Sequence, residues 1–224
     1  MTGHANARPA PRPGLGGTGR AGDELYLIAH HELTGRPHLA PRAAGLGLAG
    51  ALLAELGLAG AVTIDRGTIT RAVPGQASDP LTVAVAGQIA AESPPRPVGD
   101  WLAFLARTAA GDVAARLGEA GYLASVPGRP WRGARWVPAD PDCAFAPVAR
   151  LKAALHASRP GDEQAVTVAG LAAACGLGPR LGLYLPAGAR YRIDALVPLL
   201  DPGLRGVITA TKTAVDAALL AHRI

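Results

Sequence analysis

Residues 43–64 read AAGLGLAGALLAELGLAGAVTI, and the reading of this stretch decides the fold. Glu55 is its only charged residue. None of its sides is polar at helical spacing, so it is not a surface helix with one wet face. A segment apolar all round is either the centre of a core or a membrane span. Its length would suit a span. Three features argue for the core. An acidic residue inside a lipid-embedded helix costs roughly 2.5–3.5 kcal/mol. Gly57 and Gly60 read as a helix ending. Val62-Thr63-Ile64 then alternates as a strand does. The expectation is a buried central helix over about residues 46–58, followed by a short strand, with small residues that let other helices approach closely.

Working outward, the composition fits that centre. Hydrophobic residues make up 49% of the chain and aromatics only 4%, so the core must be built from Ala, Leu and Val, which favours helices. Residues 1–22 are rich in Pro, Gly and Arg and read as a disordered basic tail, with an ordered domain over residues 23–224. Asp23 and Glu24 favour a helix start, and Leu25, Leu27 and Ile28 begin its apolar pattern. VTIDRGTITR, residues 62–71, reads as a hairpin. Asp79-Pro80 and Asp201-Pro202 read as helix openings, an N-cap acid followed by proline at the first helical position. Asp100 and Asp112 are expected to cap two further helices, the second closed by Gly121. Residues 122–137 are the least helical part, and residues 177–190 read as a Gly- and Pro-rich connection. The fold class expected is mainly α: one helical domain around a central buried helix, with one or two small β-hairpins.

The formal net charge is +5, which points to an anionic partner, a membrane surface or a nucleic acid. Two cysteines, Cys143 and Cys175, are too few for a disulfide framework or a metal cluster, and no apolar leader opens the sequence. A cytoplasmic location follows as the expectation. Two GxGxxG matches, at Gly14-Gly16-Gly19 and Gly45-Gly47-Gly50, lack the preceding strand that a dinucleotide site requires. Neighbours such as His30, His31 and Glu32 point to different sides of a helix and do not converge on one ion unaided. The sequence shows no catalytic constellation and no cofactor motif, so a binding protein is expected rather than an enzyme.

The segment that best combines charge with interfacial aromatics is residues 129–136, where Trp131 and Trp136 alternate with Arg129, Arg132 and Arg135. Arginine suits phosphates, and tryptophan suits the membrane–water interface. The plain alternative is that one tryptophan packs into the core and the arginines are solvated.

The order of motifs resembles the Golgi phosphoprotein 3 family. Asp23-Glu24-Leu25-Tyr26-Leu27 matches its opening helix. Gly47-Leu48-Ala49-Gly50 and Glu55-Leu56-Gly57-Leu58-Ala59-Gly60 match its central segment. The Asp79 helix with Pro94-Pro95 and Trp101 beyond it, the Arg116 to Leu123 segment and the late Leu196 to Asp201 segment follow in the family's order. The resemblance implies a helical fold with a β-hairpin, and peripheral membrane association through an anionic lipid, phosphatidylinositol 4-phosphate. Family members hold that headgroup with a tryptophan and an arginine near the start of the central helix and with two later arginines. An ungapped alignment puts Ala40 and Ala49 at the first two positions. It keeps Arg107 of the later pair and puts Ala110 at the other. The resemblance therefore implies Arg107, with Arg42 nearby, as the headgroup-binding residues, and little headgroup preference. Arg129, Trp131, Arg132, Arg135 and Trp136 are the expected membrane contacts. The runner-up is a winged-helix-like nucleic-acid-binding protein, disfavoured because the apolar central helix offers no basic reading face.

Overall fold

The segment around Glu55 folds as one long helix, α2 (Pro41–Leu58), longer at its start than the apolar pattern alone predicts because Pro41 takes the first helical position. The computed structural model describes residues 18–127, 135–156 and 162–221. The other helices are α1 (Ala21–Ile28), α3 (Pro80–Ala91), α4 (Val98–Leu105), α5 (Ala109–Glu119), α6 (Pro141–His156), α7 (Glu163–Ala174), α8 (Gly178–Tyr184), α9 (Ala189–Leu196) and α10 (Pro202–Ala221). Two antiparallel hairpins complete the fold: β1 (Val62–Asp65) with β2 (Thr68–Ala72), and β3 (Leu123–Val126) with β4 (Arg135–Pro138). The fold is mainly α, as the sequence predicts. Among the described residues no helix is long and apolar enough to cross a membrane.

α2 is the hub. It packs against α1, α3, α4, α5, α7, α10 and β1, and Leu48, Leu52, Leu53 and Leu56 are essentially without solvent contact. So many partners fit around one helix because its glycines remove the obstacle of a Cβ. A Cβ on Gly45 would overlap the carbonyl oxygen of Ala106, one on Gly47 the thiol of Cys175, and one on Gly50 the hydroxyl of Thr211. The second GxGxxG match is thus a set of helix-crossing positions. α2 ends at Gly60, whose φ of +68° lets Ala61 N–H donate to the Leu56 carbonyl and Gly60 N–H to that of Gly57.

The local signals for turns and caps work where the sequence placed most of them. Arg66 and Gly67 both take positive φ between paired Asp65 and Thr68, the turn that best fits hairpin twist. Asp79 caps α3, its carboxylate accepting from Leu81 N–H at 3.1 Å and Thr82 N–H at 3.4 Å. Asp201 accepts from Gly203 N–H at 2.7 Å at the start of α10. Three expectations need correction. Asp100 and Asp112 lie inside the first turns of α4 and α5, whose N-cap residues are Pro97 and Thr108. The stretch expected as connection over residues 177–190 contains α8, opened by Pro179 near its first position and anchored by buried Leu181. Ordered structure starts before Asp23, since Ala21 and Gly22 are already buried in α1; the rest of the expected tail, residues 1–17, lies outside the described residues.

The same chemical change should therefore have opposite signs on two helices. Gly45→Ala adds about 1 kcal/mol of helix propensity but drives a methyl into a backbone carbonyl, and overpacking of about 1–3 kcal/mol prevails. Gly87→Ala on α3 meets nothing within 4 Å. Thermal melts should show Gly45→Ala lowered by several degrees and Gly87→Ala raised by about 2–4 °C. A stabilised Gly45→Ala would refute the crossing.

Candidate functional site

The acids of α1 and α2 decide where the chain's charge is spent. Asp23, Glu24 and Glu55 all sit in largely apolar segments, where an ionised carboxylate must find a cation. Arg116 occupies the apolar face of α5, beside buried Val113 and Leu117, and is itself only 8% exposed. Its guanidinium reaches Asp23 at 2.7 Å, Glu55 through two nitrogens at 3.0 Å each, and Asp79 at 3.3 Å. Glu55 Oε1 also accepts from Gly22 N–H at 2.6 Å. One arginine thereby ties α1, α2, α5 and the cap of α3 together. A second, Arg150 of α6, donates to Glu24 at 2.6 Å and grips Asp162, the α7 N-cap, at 2.6 and 2.9 Å. These contacts are structural, and they consume the acids that sequence reading left as helix-start signals.

Burial raises the carboxyls of Asp23 and Glu55 against the opposing pull of Arg116. Burial acts on Asp79 too, but its bonds to Thr82 and to Arg116 outweigh that and lower it. Burial opposes the charge on Arg116, yet the surrounding carboxylates hold it well above its ordinary range. The thiol of Cys175, packed on Gly47, is pushed up to about 12 by burial and has no thiolate at neutral pH. His30 stacks on Tyr26 with ring centroids 3.9 Å apart, and its Nδ1 lies 2.7 Å from the Tyr26 carbonyl oxygen. Glu32 turns away to accept from Arg180 at 2.8 Å. Among the described residues no three metal-ligating side chains converge.

What remains for an external anion is a surface at the start of α2. Its N-cap, Ala40, has no side chain that can cap, and Pro41 follows. The positive end of the helix dipole is therefore left without a capping side chain. Arg42 projects from that turn and is exposed. One turn on, Gly45 touches Ala106, the residue before Arg107, so the fold brings Arg42 and Arg107 to the same helix crossing. Arg107 is exposed, lies 4.7 Å above the Phe104 ring centroid and donates to the Phe104 carbonyl at 3.2 Å. Neither arginine has an acidic partner among the described residues. Phe104 is itself 45% exposed, an aromatic ring beside two cations.

The other expected contacts lie elsewhere. Arg129, Trp131 and Arg132 fall outside the described residues. Arg135 is exposed on β4. Trp136 is half-buried, its ring against Gly118 and packed on the core, so this tryptophan follows the plain alternative. Gly118 is near the far end of α5 from Arg107, and α5 is about 16 Å long at the usual helical rise. The hairpin and the arginine pair are separate parts of the surface. Ala49, at the other family position, is buried in the middle of α2.

The buried cluster generates two outcomes. Arg116→Met strands three buried carboxylates and should destabilise the fold by about 3–5 kcal/mol in denaturant titrations. A folded-state pKa above the unfolded one contributes stability below the ordinary value of 4.5 for Glu55, and that stability is lost as pH rises through the raised value. Glu55→Gln keeps the size but sets an amide NH2 against an arginine nitrogen, so it should lower the melting temperature while flattening its decline as pH rises above 4.5. An unchanged slope would show that Glu55 does not titrate there.

Comparison with known proteins agrees with this architecture. No curated protein matches the chain. The family model for Golgi phosphoprotein 3 (GPP34) matches residues 22–218, which runs from the first turn of α1 into the last turn of α10. The matched span includes the central helix, both hairpins and the ion cluster around Arg116, so the chain belongs to the Golgi phosphoprotein 3 (GPP34) family.

Proposed function

We propose that this chain docks peripherally on anionic membrane surfaces, by binding and without catalysis. The observation that carries the reading is the pair Arg42 and Arg107, both exposed and without acidic partners among the described residues, beside the uncapped start of α2. The family's general link to phosphoinositides supports a phosphate-bearing headgroup as ligand. Phe104 is placed to enter the headgroup layer next to them, as aromatic rings at interfaces do. Arg129, Trp131, Arg132 and Arg135 of the second hairpin provide a further basic and aromatic contact, while Trp136 anchors that hairpin to α5. Two arginines without a built pocket of hydrogen-bonding side chains attract any anionic lipid. Selectivity for phosphatidylinositol 4-phosphate over other anionic lipids is therefore small.

Vesicle sedimentation tests this. Each basic residue near an anionic bilayer contributes about 1 kcal/mol, so Arg42→Ala with Arg107→Ala should weaken binding about thirtyfold. Replacing Arg129, Arg132 and Arg135 together should weaken it on the order of a hundredfold if all three touch the surface. Both effects should shrink as salt rises. Equal binding to neutral and anionic vesicles, or no binding to either, would sink the proposal. A strong preference for phosphatidylinositol 4-phosphate would show a specific pocket built from other residues.

A further inference from the structure

A hollow of about 740 Å³ lies between α7, α8, α9 and α10. It falls within the range of roughly 300–1,000 Å³ usual for small-molecule sites. Its lining is mostly apolar. Gly170, Ala173 and Ala174 of α7 meet Ile208 of α10 on one side, and Leu185 and Ile193 face them. The hollow follows from the sequence. Ala173 and Ala174 are too small to fill the space, whereas Gly170 is already covered by Ile208 and Val197; α8 and α9 are short pieces in a Gly- and Pro-rich stretch. Glycines in that stretch differ from those on α2. A Cβ on Gly178 or Gly182 would meet nothing within 4 Å, and neither has a positive φ, so neither crowding nor backbone conformation calls for glycine there. They border open room.

One further observation says what suits that room. The polar members of the lining are Arg190, Asp194 and Lys212. Lys212 donates to Asp216 at 2.5 Å, whereas Arg190 is exposed with no acidic partner among the described residues. The hollow is thus an apolar slot with an available guanidinium at its edge.

We propose that this slot takes the hydrocarbon chain of a single-chain anionic amphiphile, such as a long-chain fatty acid, with its carboxylate at Arg190. The chain displaces water from the apolar floor, and the guanidinium fork meets the carboxylate in the bidentate geometry that arginine favours. Lys212 is spent on Asp216, which leaves Arg190 as the lining cation without an ion-pair partner among the described residues. This site is independent of the bilayer docking above: it concerns a dissolved amphiphile and other residues.

The test uses the full chain and a dansyl-labelled long-chain fatty acid below its micelle concentration, without vesicles. Saturable fluorescence enhancement, reversed by oleate and not by an alkyl trimethylammonium of equal length, is the expected result. Gly182→Leu and Ala173→Leu add bulk at two exposed lining positions, and a Cβ at Gly182 meets nothing within 4 Å. Combined, they should weaken the probe at least about tenfold while the melting temperature holds. Arg190→Glu should weaken the carboxylate probe about tenfold and admit the ammonium competitor. Sedimentation of the filled variant with anionic vesicles should equal that of the parent chain, so loss of one activity is separable from loss of the other. No saturable binding, or binding indifferent to the filled slot and to Arg190→Glu, overturns the proposal. Self-association that the filled variant abolishes, without probe binding, would assign the slot to a second copy of the chain and overturn it as well.

Discussion

One buried guanidinium fixes how the first half of the chain is arranged. Taking Arg116 and three carboxylates out of water costs several kcal/mol per ion, and their attraction offsets this only when geometry is good. Here all three nitrogens of the fork are used: Nε by Asp23, Nη1 by Glu55 and Asp79, Nη2 by Glu55 and Asp23. Lysine, a point charge on a flexible stem, could not reproduce that fork. The consequence is directional. Surfaces made of Ala and Leu offer many nearly equal packings, but a forked donor meets its acceptors at one rotation and one offset of α5 against α1 and α2. Asp79 then fixes the start of α3 from the same point, because its carboxylate caps that helix while it faces Arg116.

Small residues do two opposite things in this chain, and context decides which. On α2, glycine brings backbones together. Gly45 lets the α4–α5 corner touch the helix, and without that approach Arg107 would not stand beside Arg42. Around α8, glycine and alanine leave space unfilled, since no larger residue from a neighbouring helix enters. A protein with only 4% aromatics has few side chains with which to plug such gaps. Two of its three tryptophans fall on described residues, and both pack: Trp101 is buried with α4, and Trp136 lies over Gly118.

How much of this was legible in the sequence depends on whether the signal is local. The apolar run ending at Gly57 and Gly60, the Arg66-Gly67 turn and the Asp79-Pro80 and Asp201-Pro202 openings are each set within a few residues, and each formed as read. Asp100 and Asp112 misled because an acid in the first turn and an acid at the cap look alike in sequence; both favour a helix start. α8 was hidden by glycines that ordinarily break helices, and it survives because Leu181 buries and ties it down. The ion cluster joins residues up to 93 positions apart, beyond any local pattern. A clue was present: Glu55 alone in an apolar run needs a cation, and Arg116 shares a helical face with Val113 and Leu117.

The arginine pair gains from this rigidity. A basic residue on a loose tail binds an anionic surface but must give up much freedom to do so, whereas one on a packed helix has already been positioned by folding. Arg42 stands on the first turn of a helix packed against seven other elements, and Arg107 lies stacked on Phe104 at a corner locked to that same helix. In the docking proposed above, both would be drawn to the same anionic surface. The positive end of α2 acts in the same direction, on a helix packed into the core. In the interior, Arg116 and Arg150 are spent on carboxylates of the packed helices. The exposed pair at the α2 crossing, unopposed by acids, is therefore where part of the net charge of +5 is available to an outside partner.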